Sequence, residues 1–113
     1  MIKIYHNPRC KKSCAGLAYL QTKTSDFTIV KYMDHGITPD EIREIMVKSG
    51  LRPLDLIRTQ EELYKKDLKN KNLSDDQWIE ILSKNPRLLK RPIVVTDNRA
   101  VIAQPVTEID KIL

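Results

Sequence analysis

Met1-Ile2-Lys3-Ile4-Tyr5-His6-Asn7-Pro8-Arg9-Cys10-Lys11-Lys12-Ser13-Cys14-Ala15-Gly16-Leu17-Ala18-Tyr19-Leu20 is the stretch on which the reading of this chain turns. Met1–Tyr5 alternates apolar and polar residues and reads as a strand. The strand runs into a turn. From Lys11 to about Gln21 the pattern is helical, with Leu17, Leu20 and Tyr19 on or near the buried side. The turn therefore ends, and the helix begins, on Cys10. A thiol at a helix N-terminus faces free backbone N–H groups and the positive end of the helix dipole. Both favour thiolate over thiol. Arg9, Lys11, Lys12 and a protonated His6 are expected to add positive charge. Cys10 is the candidate nucleophile, with its pKa pulled down.

The composition limits what such a thiol serves. The chain has 113 residues, 41% hydrophobic and 31% charged, which suits one globular, soluble domain with one core. No apolar run is long enough to cross a membrane, and the first residues lack the pattern of an export signal. The two cysteines, Cys10 and Cys14, are four residues apart. A bond between them ties nothing distant together, so active thiols in a reducing cytoplasm fit better than a secreted framework. His6 and His35 are too few and too scattered for a zinc site, and no metal is expected. Net charge is +5. Because bases and acids interleave, as in Glu61-Glu62-Leu63-Tyr64-Lys65-Lys66-Asp67, nucleic-acid binding is not expected as the main role. A small anionic substrate or an acidic protein partner uses the same field.

Beyond the first helix, Asp26–Met33 reads as a second strand. Thr38-Pro39-Asp40-Glu41 carries a capping box with proline at the first helical position, and Gly50 is the expected stop. Helical signals continue through Pro53, Thr59–Lys66 and the cap at Ser74-Asp75-Asp76-Gln77 to about Lys84, where Asn85-Pro86 breaks them. Pro92–Thr96 reads as a strand, Asp97-Asn98 as a turn, and Arg99–Ala103 as the hairpin partner. Pro105 to Leu113 reads as a closing helix. The order β-α-β, helical block, β-β-α gives an α/β class: a thioredoxin-like mixed sheet with a helical insertion at about 38–85 in a single domain, 1–113. Strands one and two should be parallel and the last hairpin antiparallel.

Cys14 lies one turn after Cys10 and is a candidate resolving thiol. The alternative is a helix packing residue, since three residues separate the cysteines rather than two and the two Cβ vectors converge poorly. Arg58 and Arg91 offer planar forks suited to tetrahedral oxyanions. Backbone N–H groups at the helix start, including that of Ser13, are suited to cradling an anion.

Tyr5-His6-Asn7-Pro8-Arg9-Cys10, Leu56-Ile57-Arg58 and Arg91-Pro92-Ile93-Val94-Val95-Thr96 together resemble the three signatures of the glutaredoxin-coupled, ArsC-type arsenate reductases. The resemblance runs over essentially the whole chain. It implies that Cys10 attacks arsenate, that Arg58 and Arg91 bind the oxyanion and its thiol adduct, and that His6 helps set the thiolate. It implies glutathione or another thiol as co-substrate, glutaredoxin as the resolving partner, no bound cofactor, and a cis bond before Pro92. Two features depart from the family pattern. A third family arginine is replaced in Ala103-Gln104-Pro105, where Gln104 is expected to hydrogen-bond the oxyanion without adding charge. Cys14 lies outside the glutathione pattern, and both departures favour a relative that uses an internal or thioredoxin-linked thiol or has another substrate. The same superfamily contains Spx-type regulators that bind RNA polymerase through a CxxC switch. Here the spacing is CxxxC, and an arsenate reductase-like enzyme is the leading reading, a redox-sensing regulator the alternative.

Overall fold

The computed structural model describes residues 1–113. Four short strands, β1 (Lys3–Tyr5), β2 (Thr28–Val30), β3 (Ile93–Val95) and β4 (Ala100–Ile102), form one sheet in the order β2-β1-β3-β4. β1 and β2 are parallel, with Ile4 opposite Ile29. β1 and β3 are antiparallel, with Ile4 opposite Val94, and β3 and β4 are antiparallel, with Val94 opposite Val101. The two ends of the chain thus meet at the sheet centre, in the thioredoxin-like arrangement expected from the element order.

The period-2 alternation of a strand explains how the sheet is covered. Ile4 and Val94 face one side and pack with Leu20, Ala103 and Ile109 in a core of five buried residues. Tyr5, Ile93 and Val95 face the other side, in a core of sixteen that includes Ile42, Ile45, Trp78, Ile79 and Leu82. Since both faces of β3 are covered, its three residues are all apolar and all buried.

Four α-helices surround the sheet: α1 (Lys11–Lys23), α2 (Tyr32–His35), α3 (Pro39–Ser49) and α4 (Asp75–Lys84). α3 begins with the expected capping box between Thr38 and Glu41 and ends at Gly50, whose φ of 74° is the left-handed conformation that glycine adopts without a Cβ penalty. α4 begins with a second box, between Ser74 and Gln77. α1 differs from both: it has no acidic residue in its first turn and no side-chain cap.

Three expectations are corrected. The second strand stops at Val30 rather than Met33, and Tyr32–His35 is helical. β1 ends at Tyr5, and the last pairing available to β2 is the Val30 carbonyl accepting from His6 N–H at 3.0 Å. The segment 59–66 is not one helix. The chain forms 3-10 turns at Pro53–Leu56 and a π-helical turn at Tyr64–Leu68. The closing helix is a 3-10 helix over Val106–Lys111. Its β-branched start, Val106-Thr107, is a poor α-helix former, and so short a segment settles into the tighter form.

Two tertiary contacts position the site. Ile57 pairs with Leu89 in an isolated antiparallel bridge, flanked by Arg58 N–H to the Leu88 carbonyl (2.7 Å) and Lys90 N–H to the Leu56 carbonyl (2.8 Å). This stitches the insertion to the segment leading into β3. On the opposite side of that segment, α1 packs on Pro92 so closely that a Cβ at Gly16 would collide with the proline ring. The Arg91–Pro92 bond is cis, as the resemblance implied, and so is Gln104–Pro105.

Candidate active site

The turn that ends on Cys10 is held by its own residues. Asn7 Oδ1 accepts from Arg9 N–H at 3.0 Å, and the Asn7 carbonyl accepts from Cys10 N–H at 3.0 Å. This is the turn chemistry that asparagine before proline favours. The buried Ser13 hydroxyl accepts from Asn7 N–H at 2.9 Å and lies 2.8 Å from His6 Nδ1. One side chain therefore ties the start of the turn to the first turn of α1.

Cys10 is the N-cap of α1, in extended conformation with φ −103° and ψ 121°. Its thiol makes no cap hydrogen bond, but its pKa is lowered. Burial pushes it up. The Ser13 N–H, the Arg91 side chain, the Lys12 N–H and the Arg91 charge outweigh burial by favouring the thiolate. The expected charge support differs in origin: it comes from Arg91 across the fold and from backbone N–H groups. His6 supplies none of it. Burial lowers its pKa, the hydrogen bond at Ser13 opposes this, and Lys31 lowers it further, so the protonated ring is disfavoured. Burial of the residue and the like charge of Lys31 both work against the expected protonated His6. Its place is beside Ser13 rather than on the sulfur.

Cys10, Lys11, Lys12, Arg58, Lys90, Arg91 and Gln104 line an open cleft of about 690 Å³. The Ile57–Leu89 bridge sets Arg58 and Arg91 into it from adjacent strands of chain. Arg58 Nη1 donates to Glu61 Oε2 at 2.6 Å, with both side chains about a quarter exposed (22% and 24%). Arg91 Nη1 donates to the carbonyls of Arg87 (3.0 Å) and Leu89 (3.4 Å). Gln104 lies at the cleft, but its Nε2 donates to the Arg91 carbonyl at 2.8 Å. The expected oxyanion contact is thus modified: this amide first tethers Arg91, because Ala103 N–H to the Pro92 carbonyl draws the two segments together. Cys14 is exposed, and its Sγ donates to the Pro8 carbonyl at 3.4 Å. It does not line the cleft, and both cysteines are free. No group of three or more His, Cys, Asp or Glu side chains is placed to hold a metal ion, and no helix is long and apolar enough to cross a membrane.

Four residues at or beneath the site were not singled out from sequence. Asn7 is signalled by the Asn-Pro step, and Gly16 by its place inside a helix, where glycine is costly without a packing reason. Glu61 and Tyr32 carry no such signal. Glu61 meets Arg58 only through a turn not foreseen, and Tyr32 lies in a segment read as strand.

The chain resembles known proteins over nearly its whole length. The chain is 37% identical to an arsenate reductase of Neisseria meningitidis over 114 residues, spanning 99% of this chain and 97% of that protein. It is 35% identical to the arsenate reductase of Haemophilus influenzae, spanning 97% of each. The solved arsenate reductase from Vibrio cholerae superposes with a TM-score of 0.92 at 33% identity, spanning 99% of this chain and 97% of that one. These likenesses support a thiol-based oxidoreductase chemistry, carried on a thioredoxin-like fold. Residues 5–112 match the ArsC family, and the chain belongs to it.

Proposed function

We propose that the chain is, as one catalytic domain, a thiol-dependent reductase of a tetrahedral oxyanion, arsenate in the first instance. The observation that carries this reading is the uncapped start of α1, where Cys10 sits with its pKa lowered and the Arg91 guanidinium beside it. Arsenate enters the cleft between Arg58 and Arg91, whose charge-assisted hydrogen bonds neutralise its oxygens. The N–H groups of Lys12 and Ser13 assist at the helix start. His6 and Ser13 hold the turn in shape, and Gln104 steadies Arg91. The Cys10 thiolate attacks arsenic. A sulfur–arsenic bond forms, and one oxygen leaves as water with a proton. A second thiolate, glutathione or an equivalent, then attacks the Cys10 sulfur. The two sulfurs become a disulfide, and the sulfur–arsenic bonding pair stays on arsenic, reducing As(V) to As(III). Glutaredoxin or thioredoxin releases Cys10 from that disulfide.

The external thiol is assigned this step because Cys14 is tied to the Pro8 carbonyl one helical turn away, outside the cleft. Cys14 serves as resolving thiol only if the first turn of α1 opens. The need for a reducing thiol pool fits a cytoplasmic protein.

Arsenate turnover is to be measured separately with glutathione plus glutaredoxin and with thioredoxin plus its reductase, on the native chain, Cys10→Ser and Cys14→Ser. The expected outcome is turnover with at least one donor, none in Cys10→Ser, and near-native rates in Cys14→Ser. Loss of turnover with every donor, together with capture of RNA polymerase, sinks the enzyme reading in favour of a regulator. Loss of the thioredoxin-linked rate alone in Cys14→Ser assigns Cys14 the resolving step.

A further inference from the structure

Only two buried side-chain polar atoms in the chain lack a hydrogen-bond partner, Tyr32 Oη and Arg91 Nε. Both belong to the same neighbourhood. Tyr32 is fully buried at the start of α2, directly after the strand whose Val30 carbonyl accepts from His6 N–H. α2 packs on the 3-10 turn Pro86–Leu88, and the Arg87 carbonyl of that turn accepts from Arg91 Nη1. The Arg91 side chain already reaches toward the Tyr32 hydroxyl without closing a well-formed hydrogen bond, and the Tyr5 ring packs edge-on against its ring. Buried polar groups are nearly always paired, so two orphans of complementary type at one candidate site call for a reason. Nε–H is a donor only, and a phenol oxygen accepts.

We propose that Tyr32 is a positioning residue for Arg91, its hydroxyl oxygen accepting the Arg91 Nε–H when an oxyanion occupies the cleft. This rests on the reading of the cleft as an oxyanion site. In the structure Arg91 is drawn toward the carbonyls of Arg87 and Leu89, and the second of these bonds is long at 3.4 Å. A modest turn of the guanidinium gives up that weak contact and pairs Nε–H with Tyr32. The remaining N–H groups then address the anion in a fixed plane. An interaction completed only in the loaded state favours that state over the empty one, so it tightens anion binding and lowers KM rather than raising kcat. The hydroxyl stays protonated throughout, because burial, against the opposing charge of Arg91, pushes its pKa up to about 12.

Tyr32→Phe tests this while keeping the ring and its contact with Tyr5. Three readouts are taken: KM and kcat for arsenate, the arsenate or inorganic phosphate concentration that half-protects Cys10 from alkylation, and the melting temperature. The expected result is a rise of about tenfold in KM and in the half-protecting concentration, with kcat less affected and melting unchanged or raised. Removing an unpaired hydroxyl from a core does not destabilise it. In an Arg91→Lys background, which lacks the Nε–H, Tyr32→Phe is expected to have no further effect on protection. Unchanged anion protection in Tyr32→Phe, a loss of melting temperature alone, or additive effects in the double variant overturns the proposal. The protection assay needs no turnover, so it speaks on Tyr32 even if arsenate proves not to be the substrate.

Discussion

The two sides of the cleft are built in different ways. The thiol side, His6 to Cys14, is held by bonds among its own residues: Asn7 to Arg9 and Cys10, Ser13 to His6 and Asn7, Cys14 to Pro8. The arginine side is gathered from distant parts of the chain. Arg58 arrives on the Ile57–Leu89 bridge, Arg91 is held by Arg87 and Leu89, and Gln104 reaches across from beyond β4. Only the thiol side carries its shape in one short segment. The arginine side depends on the fold being closed, and the electrostatics of Cys10 depend on the arginine side. A change remote from sulfur can therefore alter sulfur chemistry.

The largest effect is expected from breaking the link between the two sides. Arg91→Ala should lower kcat/KM for arsenate by about 10²–10³-fold. It should also move the alkylation midpoint of Cys10 upward, since Arg91 helps hold the thiolate. Arg58→Ala should cost less and leave that midpoint in place, because Arg58 shares its charge with Glu61. Alkylation rate against pH, alongside steady-state kinetics, checks both; an equal midpoint shift in the two variants contradicts the asymmetry.

Gly16→Ala strikes the same link through packing. Alanine in a helix interior normally adds about 1 kcal/mol relative to glycine. Here its Cβ would collide with the Pro92 ring, so the sign should reverse, with a net loss of about 1–3 kcal/mol by denaturant unfolding. α1 must move away from Arg91-Pro92, and activity should fall with it. A stabilised, fully active Gly16→Ala protein would show that the contact does not set the site.

Ser13→Ala tests the local side alone. It leaves Asn7 N–H and His6 Nδ1 without their shared partner in a buried place. A loss of about 1–3 kcal/mol in stability is expected, with the Lys12 and Ser13 backbone N–H groups still present to favour the thiolate. Chemical denaturation together with the Cys10 alkylation profile separates the two effects.

The smallest effect concerns pH. The folded chain holds His6 below its ordinary value of 6.5, mainly by burial. The unfolded chain takes up the proton first as pH falls, so the unfolded state gains. The stability that neutral His6 supports is complete above the unfolded value and is lost as pH falls toward the folded one. His6→Gln should therefore flatten the fall in melting temperature between about pH 7 and about pH 5. An unchanged slope would mean that other groups carry the acid sensitivity.

How much of this was legible in the sequence follows the same division. The strand–turn–helix at the N-terminus, both capping boxes, the Gly50 stop and the β3–β4 hairpin are local patterns, and each stands where the sequence places it. The end of β2 reads too long from sequence because Tyr32 and Met33 resume the apolar pattern after Lys31, past the last partner that β1 offers. The 3-10 and π-helical turns around Arg58 carry too little periodicity to be read. The thiol at a helix start was legible, and the backbone N–H groups of Ser13 and Lys12 favour its thiolate as that placement implied; the source of the side-chain charge was not legible. Neighbours in sequence, Arg9, Lys11 and Lys12, were expected to supply the charge, and the structure supplies it from Arg91.

The sequence by itself determined the element order, the thiol at the head of α1 and the two arginines suited to an oxyanion, because turn chemistry, capping and periodicity act over a few residues. Only the tertiary structure decided that Arg91 adjoins Cys10, that Glu61 holds Arg58, that Gln104 tethers Arg91 and that burial disfavours a charged His6. Those facts depend on which segments are buried against one another, and burial and charge act through space across separations that no local pattern records.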